Sequence, residues 1–251
     1  MIGKQSNFKF SAKRLDRIAL MELWHFWFVG RCALIKSLLE KYTGNKPQSI
    51  LDIGCGTGLM PEILAKQEHR LVGVDLRPEG LALRKSLYAD FRGIQADAGN
   101  LPFKNNIFDV VLLLDILEHA DDKTVLSEVK RIQRMGGLAL ITVPAIPWLW
   151  SRRDENAGHR RRYTRKKLFY LLNEIPLTIL TIRYYQFFLF PLIVISRLLG
   201  RKWLQIQDRE EHPPAFMNKT MCLINQLEIS IGNWMLWPWG SSLVAVTQKK
   251  G

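Results

Sequence analysis

Cysteine is scarce in this 251-residue sequence, and its three thiols, Cys32, Cys55 and Cys222, form no CxxC pair and have no neighbouring histidine motif. That spacing excludes a disulfide framework and offers no zinc-ligand set, so no metal site is expected. A reducing compartment is the default reading. Long apolar runs are also missing: the run at 187–195 has nine residues, against the about 20 that a spanning helix needs. The opening MIGKQSNFKFSAKR has no apolar core before a cleavage site, so no secretory signal is expected and the location expected is cytoplasmic. Repeats and low-complexity tracts are absent. Acidic residues are in deficit, with 23 Asp and Glu against 36 Lys and Arg, a net charge of +13. Such a balance suits an acidic partner: nucleic acid, a phosphate-bearing substrate or an anionic membrane surface. What remains is ordinary globular material, 47% apolar and 24% charged, long enough for one sizeable core and short for two. Disordered, fibrous and polytopic membrane classes are thereby excluded.

Residues 11–42 carry apolar side chains at helical spacing and read as one helical segment, stopped near Gly44, Asn45 and Pro47. Short apolar runs then recur at 49–54, 70–75, 92–96, 108–115 and 137–144, with helical patterns at 58–67, 78–89 and 121–134 between them. Strands alternating with helices imply βαβ units and a mostly parallel, doubly wound α/β sheet. A helix at 165–174, a strand at 177–185 and a last strand at 241–248, placed at the sheet edge, complete the expectation. Residues 1–45 form an N-terminal helical segment capping the site, and 46–251 the main domain, with an apolar helical insertion at 184–239 before the last strand. Within that insertion a helix is expected at 216–236. Residues 145–164 read as a loop crowded with Trp and Arg, and long irregular stretches in a compact domain usually carry function.

The strongest local signal is Asp52-Ile53-Gly54-Cys55-Gly56-Thr57-Gly58, between a strand and a helix. Glycines there let the chain turn tightly and let a ligand approach the backbone, at a helix N-terminus whose free N–H groups favour negative charge. A dinucleotide fingerprint needs glycine where this chain has Leu59, and no Gly-Lys-Ser/Thr follows for a P-loop. Asp75 ends the next strand, where a carboxylate accepts from ribose hydroxyls. Turn glycines and a capping Asp are the bland alternative for each residue alone.

Together these residues resemble the class I S-adenosylmethionine-dependent methyltransferases of the type 11, small-molecule and lipid branch, with a Rossmann-like fold. The resemblance runs through ILDIGCGTG (50–58), VGVD (72–75), QADAGNLPF (95–103), FDVVLLLDILEH (108–119) and KRIQRMGGLALITVP (130–144). It implies S-adenosyl-L-methionine as cofactor, with Gly54, Gly56 and Gly58 around the methionine end, Asp75 on the ribose, Asp97 and Ala98 beside the adenine, and Asp115 near the reactive methyl. Asp52 and Leu76 complete the expected cofactor set. A narrower subgroup is matched by Glu22–Phe28 with Gly30 and Arg31, and by Trp148–Ser151, Asp154 and Gly158–Thr164, with a departure at Cys32 and Ala33, where the subgroup is basic.

Methyl transfer needs an acceptor held in line, and a hydroxyl acceptor needs a base. His119, His159 and Asp115 are the catalytic candidates; His25, Trp27, Trp150, Arg160, Arg161 and Tyr163 are the acceptor-binding candidates. A structural hydrogen bond is the plain alternative for each histidine. Between 152 and 167 eight basic residues face two acidic ones, which suits a phosphate or carboxylate head group or a solvated basic face. The aromatic stretch 184–195, followed by Arg197, Arg201 and Lys202, and Trp234, Trp237 and Trp239 around Pro238 suit an interfacial segment; a buried helical hairpin is the other reading. The expected function is methyl transfer to a small-molecule or lipid-like, anionic acceptor, by an enzyme peripheral on the inner face of the cell membrane. An RNA methyltransferase and a non-catalytic cofactor-binding adaptor are the alternatives, nucleic acid being less favoured because no RRM, KH or zinc module is present.

Overall fold

The computed structural model describes residues 18–44, 46–57, 69–87, 91–200, 213–232 and 235–250. The expected helix at 58–67, Gly58, Trp234 and the start of the 11–42 helix lie outside them. In chain order the elements are α1 (Phe26–Thr43), β1 (Ser49–Ile53), β2 (Arg70–Asp75), α2 (Pro78–Leu87), β3 (Arg92–Gln95), β4 (Phe108–Leu114), α3 (Asp122–Ile132) and β5 (Gln133–Pro144). There follow α4 (Arg152–Ala157), α5 (Arg165–Glu174), β6 (Leu177–Tyr185), α6 (Phe190–Gly200), α7 (Ala215–Gly232) and β7 (Ser242–Lys249).

Seven strands form one sheet in the order β3-β2-β1-β4-β5-β7-β6. The first five are parallel, and β7 runs antiparallel to both β5 and β6. The last strand is therefore not at the edge, as the sequence suggested. It is inserted between β5 and β6, and Leu243, Val244, Ala245 and Val246 are all fully buried. Side chains alternate between faces with the period of two that a strand imposes. Ile50, Val110, Leu112, Leu138, Leu140, Val244 and Val246 meet Leu34, Ile35, Leu38 and Leu39 of α1 on one face. Leu51, Val111, Leu113, Ala139, Ile141 and Leu243 meet Val125, Leu126 and Val129 of α3 and Leu168 and Leu172 of α5 on the other.

Three further expectations are revised. The first helical segment breaks at Leu23 and Trp24. His25 has extended backbone and its Nδ1 accepts from the Trp27 N–H (3.2 Å), so it caps α1 in the role a Ser or Asp usually fills. The 145–164 stretch is ordered by a 3₁₀ turn at Pro147–Leu149 and by α4, whose Asp154 accepts from the Ser151 N–H (2.9 Å). The 184–239 insertion is partly core: Leu189 and Ile193 pack with Phe26, and Asn218 and Asn225 of α7 bond the backbone of Phe26 from either side. No helix among the described residues is long and apolar enough to cross a membrane.

Candidate active site

The carboxyl ends of β1, β2 and β4 open into a cleft of about 460 Å³, within the range of small-molecule sites. Its floor is the turn after β1. Gly54 has φ +70°, and a Cβ there would lie 1.8 Å from Ile116 Cδ1, so only glycine fits. Gly80, at the start of α2, stands 3.1 Å from the Gly56 backbone by the same measure, which lets the helix press against the turn. Asp75 is fixed from both sides: the Gly56 N–H donates to its Oδ2 (2.8 Å) and the Arg77 N–H to its Oδ1 (2.9 Å). Each carboxylate oxygen has a second lone pair, so the side chain is oriented yet able to accept two hydroxyls.

Asp52, Gly54, Gly56, Asp75, Leu76, Asp97, Ala98, Asp115 and His119 all line this cleft. A cavity that passes from a glycine turn, over a fixed carboxylate, to Asp97 and Ala98 fits S-adenosylmethionine. Gly54 and Gly56 would take its methionine end, Asp75 its ribose and Ala98 its adenine.

The opposite wall comes from the N-terminal segment through Ile18, Glu22, Phe28 and Arg31. Arg31 Nη1 donates to Asp115 Oδ2 (2.6 Å). Asp115 has φ +57° and is held by Thr142, which receives the Asp115 N–H and donates its own Oγ1 proton to Oδ1 (3.1 Å). Glu22, which in the sequence only opens a motif and draws no role from it, is a site residue. Burial pushes its carboxyl up to about 7 against the pull of Arg31. Burial likewise raises Asp52 to about 6, opposed by Arg84 and Arg31.

That shift has a consequence for stability. A folded-state pKa above the ordinary carboxylate value means that the folded chain binds the proton more tightly than the unfolded one. Stability from Asp52 is therefore greatest at low pH and is lost as pH rises through about 6. Asp52→Asn should stabilise the ligand-free protein at pH 8 by on the order of 3 kcal/mol, and by little at pH 4. Thermal unfolding at the two pH values checks this; destabilisation at both would contradict it.

His119 is pushed down to about 4 by burial and by His159, and the two rings meet edge to face at 4.9 Å. His119 Nδ1 lies 3.2 Å from the Gly158 carbonyl oxygen, and His159 Nδ1 lies 2.9 Å from Asp154 Oδ1. A carbonyl and a paired carboxylate only accept, so both Nδ1 atoms carry a proton, and His119, neutral at pH 7, keeps a lone pair on Nε2.

The remaining candidates lie off the cleft lining. His25 caps α1, and Trp27 packs beside Phe26, Leu189 and Ile193. Trp150 Nε1 donates to Glu155 (3.3 Å). Arg161 pairs with Asp122 (2.6 Å), and the single proton of the buried Tyr163 hydroxyl lies between Asp122 Oδ2 (3.0 Å) and the Leu117 carbonyl oxygen (3.2 Å). Arg162 is buried between Asp154 (2.8 Å) and the Ala145 carbonyl. Only Arg160 of the arginine triplet is exposed. Arg161 and Arg162 are therefore internal struts, and Arg162 shares Asp154 with His159, beside the cleft that α4 reaches through Ala157.

Residues 51–141 match the family model described as a methyltransferase domain. A ubiquinone biosynthesis O-methyltransferase of Azorhizobium caulinodans is 35% identical over 105 residues, covering 37% of this chain and 41% of the relative. A demethylmenaquinone methyltransferase of Chlorobaculum tepidum is 27% identical over 164 residues, covering 64% of this chain and 62% of the relative. The chain thus spans less than two thirds of the length of either. In fold it is similar to phosphoethanolamine N-methyltransferase 2 of Haemonchus contortus, solved with S-adenosyl-L-methionine, at TM-score 0.63 and 15% identity over 99% of this chain and 61% of that one.

Proposed function

We propose that the chain is an S-adenosylmethionine-dependent methyltransferase, a reading supported by the methyltransferase-domain match over residues 51–141, and that it methylates a lipid-like acceptor at an anionic membrane surface. The observation that carries this reading is an apolar rim beside the cleft. Leu20, Leu23 and Trp24 are exposed on the segment whose Ile18 and Glu22 line the cavity. Phe216 and Met217 of α7, also exposed, are held next to them because Asn218 Nδ2 donates to the Trp24 carbonyl (2.6 Å). Leu223 and Leu227 continue the outward side of α7, and Leu192 and Ile195 lie outward on α6. Exposed apolar side chains grouped in this way mark a contact surface. A net charge of +13 favours an anionic one. The names of the two relatives, which concern ubiquinone and demethylmenaquinone, fit an acceptor with an apolar tail.

S-adenosylmethionine supplies an electrophilic methyl on a cationic sulfur. The chain's task is position and electrostatics: Asp75 and the glycine turn fix the cofactor, and Arg31 holds the Asp115 carboxylate at the wall. His119, neutral at pH 7, presents a lone pair to the cleft where an acceptor hydroxyl proton would leave.

Sedimentation with vesicles tests the surface. The full chain should co-sediment with phosphatidylglycerol-rich vesicles and less with phosphatidylcholine vesicles. The pair Leu223→Glu and Leu227→Glu should weaken binding by about tenfold or more. Absence of vesicle binding, or binding unaffected by the pair, would remove the membrane from this account. A chain that instead dimerises through α7 would assign the face to a second copy.

A further inference from the structure

Beside the cleft-lining His119, Glu118 is fully buried, and among the described residues neither of its carboxylate oxygens has a hydrogen-bond partner. Methyl transfer as described above makes no use of it. Buried polar groups are normally satisfied, and a buried charge is paired or coordinates a metal. A ring nitrogen is near this carboxylate: His159 Nε2 stands 3.9 Å from Glu118 Oε1, with the charges of Asp115, Arg31 and Arg162 around it. One ligand atom each from Glu118, His119 and His159 lies within 4.8 Å of the others.

We propose that Glu118, His119 and His159 form a binding site for one divalent transition-metal ion. The hydrogen bonds around the two imidazoles favour ligation. The Nδ1–H of His159 donates to Asp154, and that of His119 to the Gly158 carbonyl. This is how metal-ligating histidines are commonly fixed: one nitrogen is tied to a carboxylate or carbonyl, which sets the tautomer and leaves the other nitrogen as ligand. Asp154 is itself clamped by Arg162 and Arg197, so the His159 ring is oriented by a network that an exposed histidine would not need. Two imidazoles and one carboxylate suit Zn²⁺, Mn²⁺, Fe²⁺ or Co²⁺ better than Mg²⁺ or Ca²⁺, which prefer an all-oxygen shell.

Three protein ligands leave open positions, and His119 borders the cofactor cleft. Water or an acceptor oxygen would fill them; in the ion-bound form the His119 Nε2 lone pair is a ligand and is no longer free to take an acceptor proton. That role for the ion rests on the methyl-transfer reading; ion binding itself does not.

The test uses the tag-free full chain stripped with a chelator, titrated with Zn²⁺ and with Mg²⁺ by calorimetry, and with Co²⁺ by visible absorption. The expected result is one Zn²⁺ per chain with a raised unfolding temperature, a Co²⁺ spectrum with imidazole ligation, and at least tenfold weaker binding of Mg²⁺. Glu118→Gln keeps the shape and removes the charge; it should retain the circular dichroism of the fold and lose at least tenfold in Zn²⁺ affinity. His119→Gln is the second variant and should do the same. A wild-type chain with no stoichiometric Zn²⁺ binding, or a folded Glu118→Gln chain binding as wild type, would overturn the site. Zn²⁺ binding without methyl transfer would count against the function proposed above and leave the site standing.

Discussion

Asp75→Ala should lower the affinity for S-adenosylmethionine by about a hundredfold. Two effects combine. The ribose loses a charged acceptor, and each hydrogen bond to a charged group contributes about 1.5–3 kcal/mol; two such bonds at the low end already correspond to about a hundredfold. The Gly56 and Arg77 N–H groups also lose the carboxylate that bridges the two turns, so the cleft floor loosens. Asp75→Asn keeps one acceptor oxygen and should fall between. Calorimetric titration measures both, and an unchanged affinity in Asp75→Ala would place the cofactor elsewhere.

Arg162→Ala should cost about 3–5 kcal/mol of stability, the loss expected when one member of a buried ion pair is removed. Asp154 is 1% exposed. Burial alone would raise its pKa, but the hydrogen bonds from His159 and Arg162 outweigh that and hold it well below the ordinary carboxylate range. With Arg162 gone, the buried charge keeps only Ser151, His159 and Arg197 as partners. At about 2–4 °C per kcal/mol for a domain of this size, the unfolding temperature should fall by about 10 °C. A head-group contact at Arg162 predicts instead a weakened acceptor and an unchanged unfolding temperature, so a thermal scan separates the two roles.

The contrast shows what the sequence could and could not express. Alternating apolar runs located the strands because each must bury one or both faces, and the expected 165–174 and 177–185 coincide with Arg165–Glu174 and Leu177–Tyr185. Sheet order is a different matter. Nothing local in SSLVAVTQ states that it will slide between two earlier strands, beyond its being apolar enough to be covered on both sides. The first helix was drawn too long because His25 fits an apolar helical face as readily as it caps the next turn; only its backbone geometry distinguishes the two.

Charge was the least legible feature. The arginines at 160–162 looked like a surface patch, yet the partners of two of them, Asp122 and Asp154, are acids 39 and eight positions away. Pairing of that kind is invisible to a count of charges. Glu22 and Glu118 stand inside the matched motifs yet draw no role from them for the same reason: a glutamate within an apolar context reads as an exposed residue until the fold closes over it. The glycine turn and Asp75 were readable because backbone demands and strand position leave few substitutes.

The central claim is methyl transfer to an acceptor that partitions into lipid. It is tested most directly by incubating the full chain with methyl-radiolabelled S-adenosylmethionine and a crude cell extract with its membranes, then separating organic, RNA, protein and small-solute fractions. The account predicts label in the organic phase with the wild-type chain and background label with Asp75→Ala. Label confined to RNA or to the aqueous small-solute fraction would contradict the lipid-like acceptor, and no label above the Asp75→Ala background despite cofactor binding would contradict catalysis.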